Sequence, residues 1–138
     1  MKFNLAMAGE TPLLSFSSNN GSVAPQYRVV HSCDIFRDHL VQDTTGRSVR
    51  SVPVIKQISW TTDVPNAQTA IELLEKASLG KVKRFPAPIG GGVDSFEGIL
   101  QGREHYTLVT LLLSGGQNAR NTSKAAKTLV KFINYNCL

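Results

Sequence analysis

The sequence has little of what catalytic and metal-binding proteins need. It holds two cysteines, Cys33 and Cys137, with no Cys-x-x-Cys pair, and three scattered histidines, His31, His39 and His105, so no zinc or iron site and no cofactor are expected. No Gly-x-Ser-x-Gly elbow occurs, and nothing around Cys33 marks a nucleophile. Gly90-Gly91-Gly92 lacks the following Lys-Ser/Thr that would put a charge on a nucleotide and a hydroxyl on magnesium, so it is no phosphate loop. Glu97 and Glu104, with Asp94 nearby, are the carboxylates nearest to an acid/base pair, and an enzyme is the least favoured reading. No apolar run approaches the roughly 20 residues that cross a bilayer, so no membrane partner is expected. The apolar stretch at the start is broken by Gly9, Glu10 and Pro12, which is unlike a secretory signal and favours synthesis in the cytoplasm. The cysteines are then expected as free thiols, small hydrophobes in or near the core. A disulfide, which would close a large loop or link two chains, enters only if the protein ends outside the cell within a particle.

What is present suits one globular domain spanning residues 1–138, because 41% of the residues are hydrophobic and only 18% charged. The net charge of +5 is unevenly placed. After Glu104 there is no acidic residue, while Arg120, Lys124, Lys127 and Lys131 follow. Arg47, Arg50 and Lys56 lie in a second acid-free stretch, from Thr44 to Thr62, and Lys81, Lys83 and Arg84 make a third basic group. Solvated faces produce such runs as well; the functional alternative is an electrostatic footprint for a polyanion, most simply nucleic acid.

The pattern predicts an α+β fold: an antiparallel sheet with a short interior helix and a C-terminal amphipathic helix packed on the sheet or on a partner. Asn19-Asn20-Gly21 marks a hairpin between strands Leu13–Ser18 and Ser22–Val30. Residues 32–39 fit a short helix or a loop, and Thr44-Thr45-Gly46 a turn. Arg47 to Thr62 reads as one long half-buried strand, with Val52, Val54, Ile58 and Trp60 inward and Arg47, Ile55, Gln57 and Ser59 on the other face; Pro53 argues for an edge or a bulge. Asp63 or Asn66 caps a helix reaching Leu79, where Gly80 ends it. Tyr106 to Leu113 reads as a central strand covered on both faces. Asn121 or Thr122 caps a helix from Ser123 to Tyr135, with Ala126, Leu129, Val130 and Ile133 on one face. Lys124, Lys127 and Lys131 fall within about 60° of one another on the opposite face, placed either for solvent or for a phosphate backbone or acidic partner.

The order of the last elements is informative. Gly90-Gly91-Gly92-Val93, then Arg103-Glu104-His105-Tyr106-Thr107-Leu108-Val109-Thr110, then the helix Thr122 to Ile133, resembles the end of the coat proteins of single-stranded RNA bacteriophages. The resemblance covers about 45 residues and consists of element order and residue character. It departs from the family in its interior helix and in lacking a second terminal helix. It implies a virion structural protein made in the host cytoplasm, an obligate homodimer building a larger assembly, with a sheet facing the capsid interior to bind genomic RNA. It further implies Gly90, Gly91 and Gly92 as an assembly loop and Arg47, Arg50, Lys56, Gln57 and Ser59 as inner-face RNA contacts, to which Lys124, Lys127 and Lys131 are added from the helix stripe. Two alternatives from other classes are a ring-forming tail-tube subunit of a phage or secretion system and a small soluble nucleic-acid-binding module.

Overall fold

The computed structural model describes residues 11–21, 27–46, 52–87 and 91–137. In chain order the elements are β1 (Leu14–Asn19), β2 (Val29–Ile35), β3 (Leu40–Gly46), β4 (Val54–Lys56), α1 (Ala67–Ser78), β5 (Val82–Phe85), β6 (Val93–Gln101), β7 (Tyr106–Gly115), β8 (Asn118–Asn121) and α2 (Lys124–Cys137). Among the described residues the strands form one eight-stranded sheet in the order β4-β3-β2-β1-β6-β7-β8-β5, every neighbouring pair antiparallel. The fold class is as the sequence pattern predicts.

Alternation sets the two faces. Leu14 and Phe16 of β1 pair with Ile35 and Cys33 of β2 and with Gly98 and Phe96 of β6, and all of these face the helices and are buried. Phe16 and Phe96 meet with ring centroids 4.8 Å apart. Asn66 caps α1, its Oδ1 accepting the Thr69 amide at 2.8 Å. Ala70, Leu74 and Ala77 of α1 and Ala126, Leu129, Phe132 and Ile133 of α2 complete the core. Gly98 lets α1 descend onto β6, because a Cβ at that position would overlap the side chain of Leu74, which is fully buried. Gly98→Ala is therefore expected to cost about 2 kcal/mol by overpacking. Urea denaturation checks this, and combining it with Leu74→Val is expected to cost less than the sum of the two single changes.

α2 starts one turn after β8 and ends on the far side of the sheet centre. Its 14 residues span about 21 Å, which matches the roughly 19 Å of the four strand spacings from β8 to β2. The far end is fastened three times. Cys137 forms a disulfide with Cys33 of β2, Cα to Cα 5.9 Å; Gln42 Nε2 of β3 donates to the Cys137 carbonyl at 3.0 Å; and the Asn136 side chain both accepts from Ser59 N (2.7 Å) and donates to Ser59 O (3.2 Å).

Several expectations are corrected. The cysteines are bonded to each other rather than free, because α2 carries residue 137 back over β2. Of the long strand expected from Arg47 to Thr62, residues 47–51 lie outside the described residues, and among 52–62 the strand is limited to β4, a three-residue edge strand. Val52 and Val54 are exposed. Ile58 is buried but Trp60 stays 38% exposed, stacked on Phe132 at 5.7 Å, because the segment after β4 leaves the sheet to lie along α2. Thr44, Thr45 and Gly46 belong to β3 and form no turn; residues 32–35 belong to β2, followed by a tight turn closed by Phe36 N to His39 O at 2.8 Å. The second strand begins at Val29, and residues 22–26 lie outside the described residues. Among the described residues β7 is covered on one face only, and Leu108 is 65% exposed. α2 is capped by Ser123, whose Oγ accepts the Ala126 amide at 3.1 Å, whereas Asn121 and Thr122 bond elsewhere.

Candidate nucleic-acid interface

The five contiguous strands at the centre of the sheet, β3-β2-β1-β6-β7, contain no Lys or Arg. Their open face instead carries serines and carboxylates: Ser15 Oγ donates to Asp34 at 2.8 Å, with Ser17, Ser32, Asp43, Ser95 and Glu97 on the same surface. Strand cations are confined to the edges, Lys56 on β4 and Lys83, Arg84 and Arg120 on the β5–β8 side.

Of the inner-face RNA contacts expected from sequence, Arg47 and Arg50 lie outside the described residues. Lys56 pairs in register with Leu40, a helix-facing position, and is exposed at the sheet edge rather than on the open face. Gln57 and Ser59 follow the end of β4, and the backbone of Ser59 is used to clamp α2. The expected basic sheet face is thus not assembled by the described residues. β4 and the β5–β8 edge sit at opposite ends of the sheet, roughly 30 Å apart by strand spacing. Gly91 and Gly92 lie backbone to backbone against Gly115 and Gly116, Gly116 N donating to Gly92 O at 2.6 Å, so this part of the expected loop closes the β6–β7 end. Gly90 lies outside the described residues.

The lysine stripe has a more definite setting. Lys124, Lys127 and Lys131 are all exposed. Lys127 and Lys131 line a cleft of about 260 Å³ between α2 and the sheet, whose floor is Leu111, Leu112 and Val130 and whose far wall is Arg120. A second cleft of about 370 Å³ adjoins it through Leu112 and Arg120 and is bounded by Phe85 and Asn118. The Arg120 guanidinium lies 5.6 Å from the centroid of the Phe85 ring, and Lys83 is opposite Arg120 in the β5–β8 register. Among the described residues, none of these cations has a carboxylate within ion-pair distance. Asp94, opposite Ser114 of the second cleft's lining, accepts from the Ser18 hydroxyl at 2.6 Å and keeps its charge.

Sequence reasoning found the stripe and missed Phe85, Lys83 and Arg120 as its neighbours. The available signal was the acid-free character of both the 81–84 group and the C-terminal segment; the pairing of β5 with β8 brings them together. Elsewhere, Asp38 in the β2–β3 turn is held below the usual carboxylate value, mainly by its 2.6 Å hydrogen bond with His39, but it is at the surface and remote from the cleft. Among the described residues no cluster of three His, Cys, Asp or Glu side chains suits a metal, and no helix is long and apolar enough to cross a membrane. Compared with family models, with curated proteins and with solved structures, the chain matches none.

Proposed function

We propose that the protein is a coat protein that assembles with copies of itself and packages RNA. The observation that carries this reading is the convergence of Arg120, Lys127 and Lys131, from a strand and a helix, on one cleft, with no carboxylate within ion-pair distance of them among the described residues. Cations held this way release counterions from a phosphate chain on contact, a sequence-independent gain suited to packaging. The sheet's second face is consistent with the assembly half of the reading: among the described residues it is rich in serine and no helix packs on it, the one-face-solvated arrangement common to antiparallel sheets, which a second copy could cover. The element order at the C-terminal end adds the resemblance to RNA-phage coat proteins.

Size-exclusion chromatography and electron microscopy of the expressed protein test it. Closed shells containing RNA support the reading, a stable monomer free of nucleic acid overturns it, and rings or tubes replace it with the tail-tube alternative. Lys124→Glu combined with Lys127→Glu is expected to lower RNA retention more at low salt than at high salt, reducing the slope of log affinity against log salt by about 1.4 for two lost phosphate contacts. Unchanged retention returns the stripe to an ordinary solvated helix face.

A further inference from the structure

The two adjoining clefts combine features that a phosphate track alone does not need. Phe85 is 45% exposed on an edge strand, with a guanidinium against it. Leu112 continues the apolar surface toward Leu111 and Val130 under the lysines. Asn118 is fixed at the rim, its Oδ1 accepting from Gly115 N at 3.1 Å and its Nδ2 donating to Pro86 O at 3.0 Å. Its amide keeps one N–H and one lone pair to offer a ligand. An aromatic ring, an apolar floor, a held amide and a cationic rim together match an unpaired nucleotide, whose base has flat apolar faces, polar edges and a phosphate on either side. The larger cleft, at about 370 Å³, falls in the size range of small-ligand sites. An acidic peptide would satisfy the cations but leave the ring and floor without partners, and a duplex keeps its bases stacked out of reach.

We infer that this cleft is a subsite for single-stranded RNA, taking one unpaired base against Phe85 while Arg120, Lys127 and Lys131 hold the flanking phosphates. The inference rests on the RNA-packaging reading above and makes that reading selective for single strands. The base is read through its face, so the preference among bases is weak, and the polar edge meets Asn118.

The test uses the full disulfide-bonded chain stripped of nucleic acid, with fluorescent eight-nucleotide oligouridylate and oligoadenylate, a matched RNA duplex and a polyglutamate peptide as probes. Both single strands are expected to bind at least tenfold more tightly than the duplex or the peptide. Phe85→Ala is expected to weaken single-strand binding about 10-fold or more, the range for loss of one stacked base, without changing the salt slope. Phe85→Leu, which keeps the apolar volume, is expected to lose most of the same factor, and circular dichroism with an intact disulfide checks that both variants fold. Lys127→Gln with Lys131→Gln is expected to reduce the salt slope by about 1.4. Binding by Phe85→Ala within twofold of the unsubstituted chain, or duplex or polyglutamate bound as tightly as the single strands, overturns the subsite while leaving electrostatic packaging in place. If the unsubstituted chain binds no RNA, the packaging reading itself falls.

Discussion

Reduction of the Cys33–Cys137 bond, or the substitution Cys137→Ser, is expected to destabilise the chain by about 4 kcal/mol and to lower its thermal midpoint by about 12 °C. The bond joins residues 104 apart in sequence, and closing a loop of that size removes a large share of the unfolded chain's conformational freedom. Cys137 is the better site for substitution. Cys33 is almost fully buried in the core, so replacing it adds a packing loss, whereas Cys137 is half-buried at the end of α2. The native structure should change little, because Asn136 and Gln42 still hold the end of the helix. The expected pattern is thus a large drop in the denaturation midpoint with RNA affinity unchanged. An identical midpoint with and without reductant would show that the bond does not form in solution. A chain made in a reducing cytoplasm gains this increment only after it reaches an oxidising environment.

The second large effect is expected at Asn121, which is 2% exposed. Its Nδ2 donates to the carbonyls of Ala77 at the end of α1 (2.9 Å) and Thr110 in β7 (3.0 Å), and its Oδ1 accepts from Ser123 N (3.0 Å) and Ser123 Oγ (2.8 Å) at the start of α2. One amide, with its full capacity of four bonds in use, ties both helices to the sheet. Asn121→Ala is expected to cost about 3 to 4 kcal/mol, combining a small cavity with buried polar groups left unpaired. Asn121→Asp keeps the shape but turns a carboxylate oxygen toward two carbonyl oxygens, which raises the pKa of the new acid in the folded state. The sign follows: its destabilisation grows as pH rises above the unfolded carboxyl value near 4 and is relieved below it. A flat difference in stability between Asn121→Asp and the unsubstituted chain from about pH 3 to pH 7 would contradict this account.

Much of the architecture was legible because local chemistry and tertiary context agree. Asn66 caps where the sequence has a capping residue ahead of an amphipathic run, and α2 follows a clear apolar stripe. The failures lie where tertiary partners decide. Alternation from Arg47 to Thr62 suggests one strand, but among the described residues of that stretch only Val54 to Lys56 finds a neighbour, and Trp60 stacks on Phe132 of α2 while staying partly exposed. The leucines of β7 suggest two covered faces, yet Leu108 is open, since both helices pack on one side. The lysine stripe was legible from helical spacing alone. Its companions Phe85 and Lys83 were not, because β5 sits ahead of β6 in sequence but beside β8 in space, a pairing that no local pattern announces.

That out-of-order pairing also fixes when, during synthesis, the cationic cleft comes into being. β5 emerges from the ribosome before β6 and β7 but has no neighbour until residues 118–121 follow, and the cleft needs Lys127 and Lys131 beyond them. For most of its translation the chain therefore presents the cation-free strands β1, β2, β3, β6 and β7, and no assembled grip on the message or the ribosomal RNA beside it. On the packaging function proposed above, the grip on a polyanion would be assembled only with the last segment described, which would keep a nascent chain from capturing the transcript that encodes it.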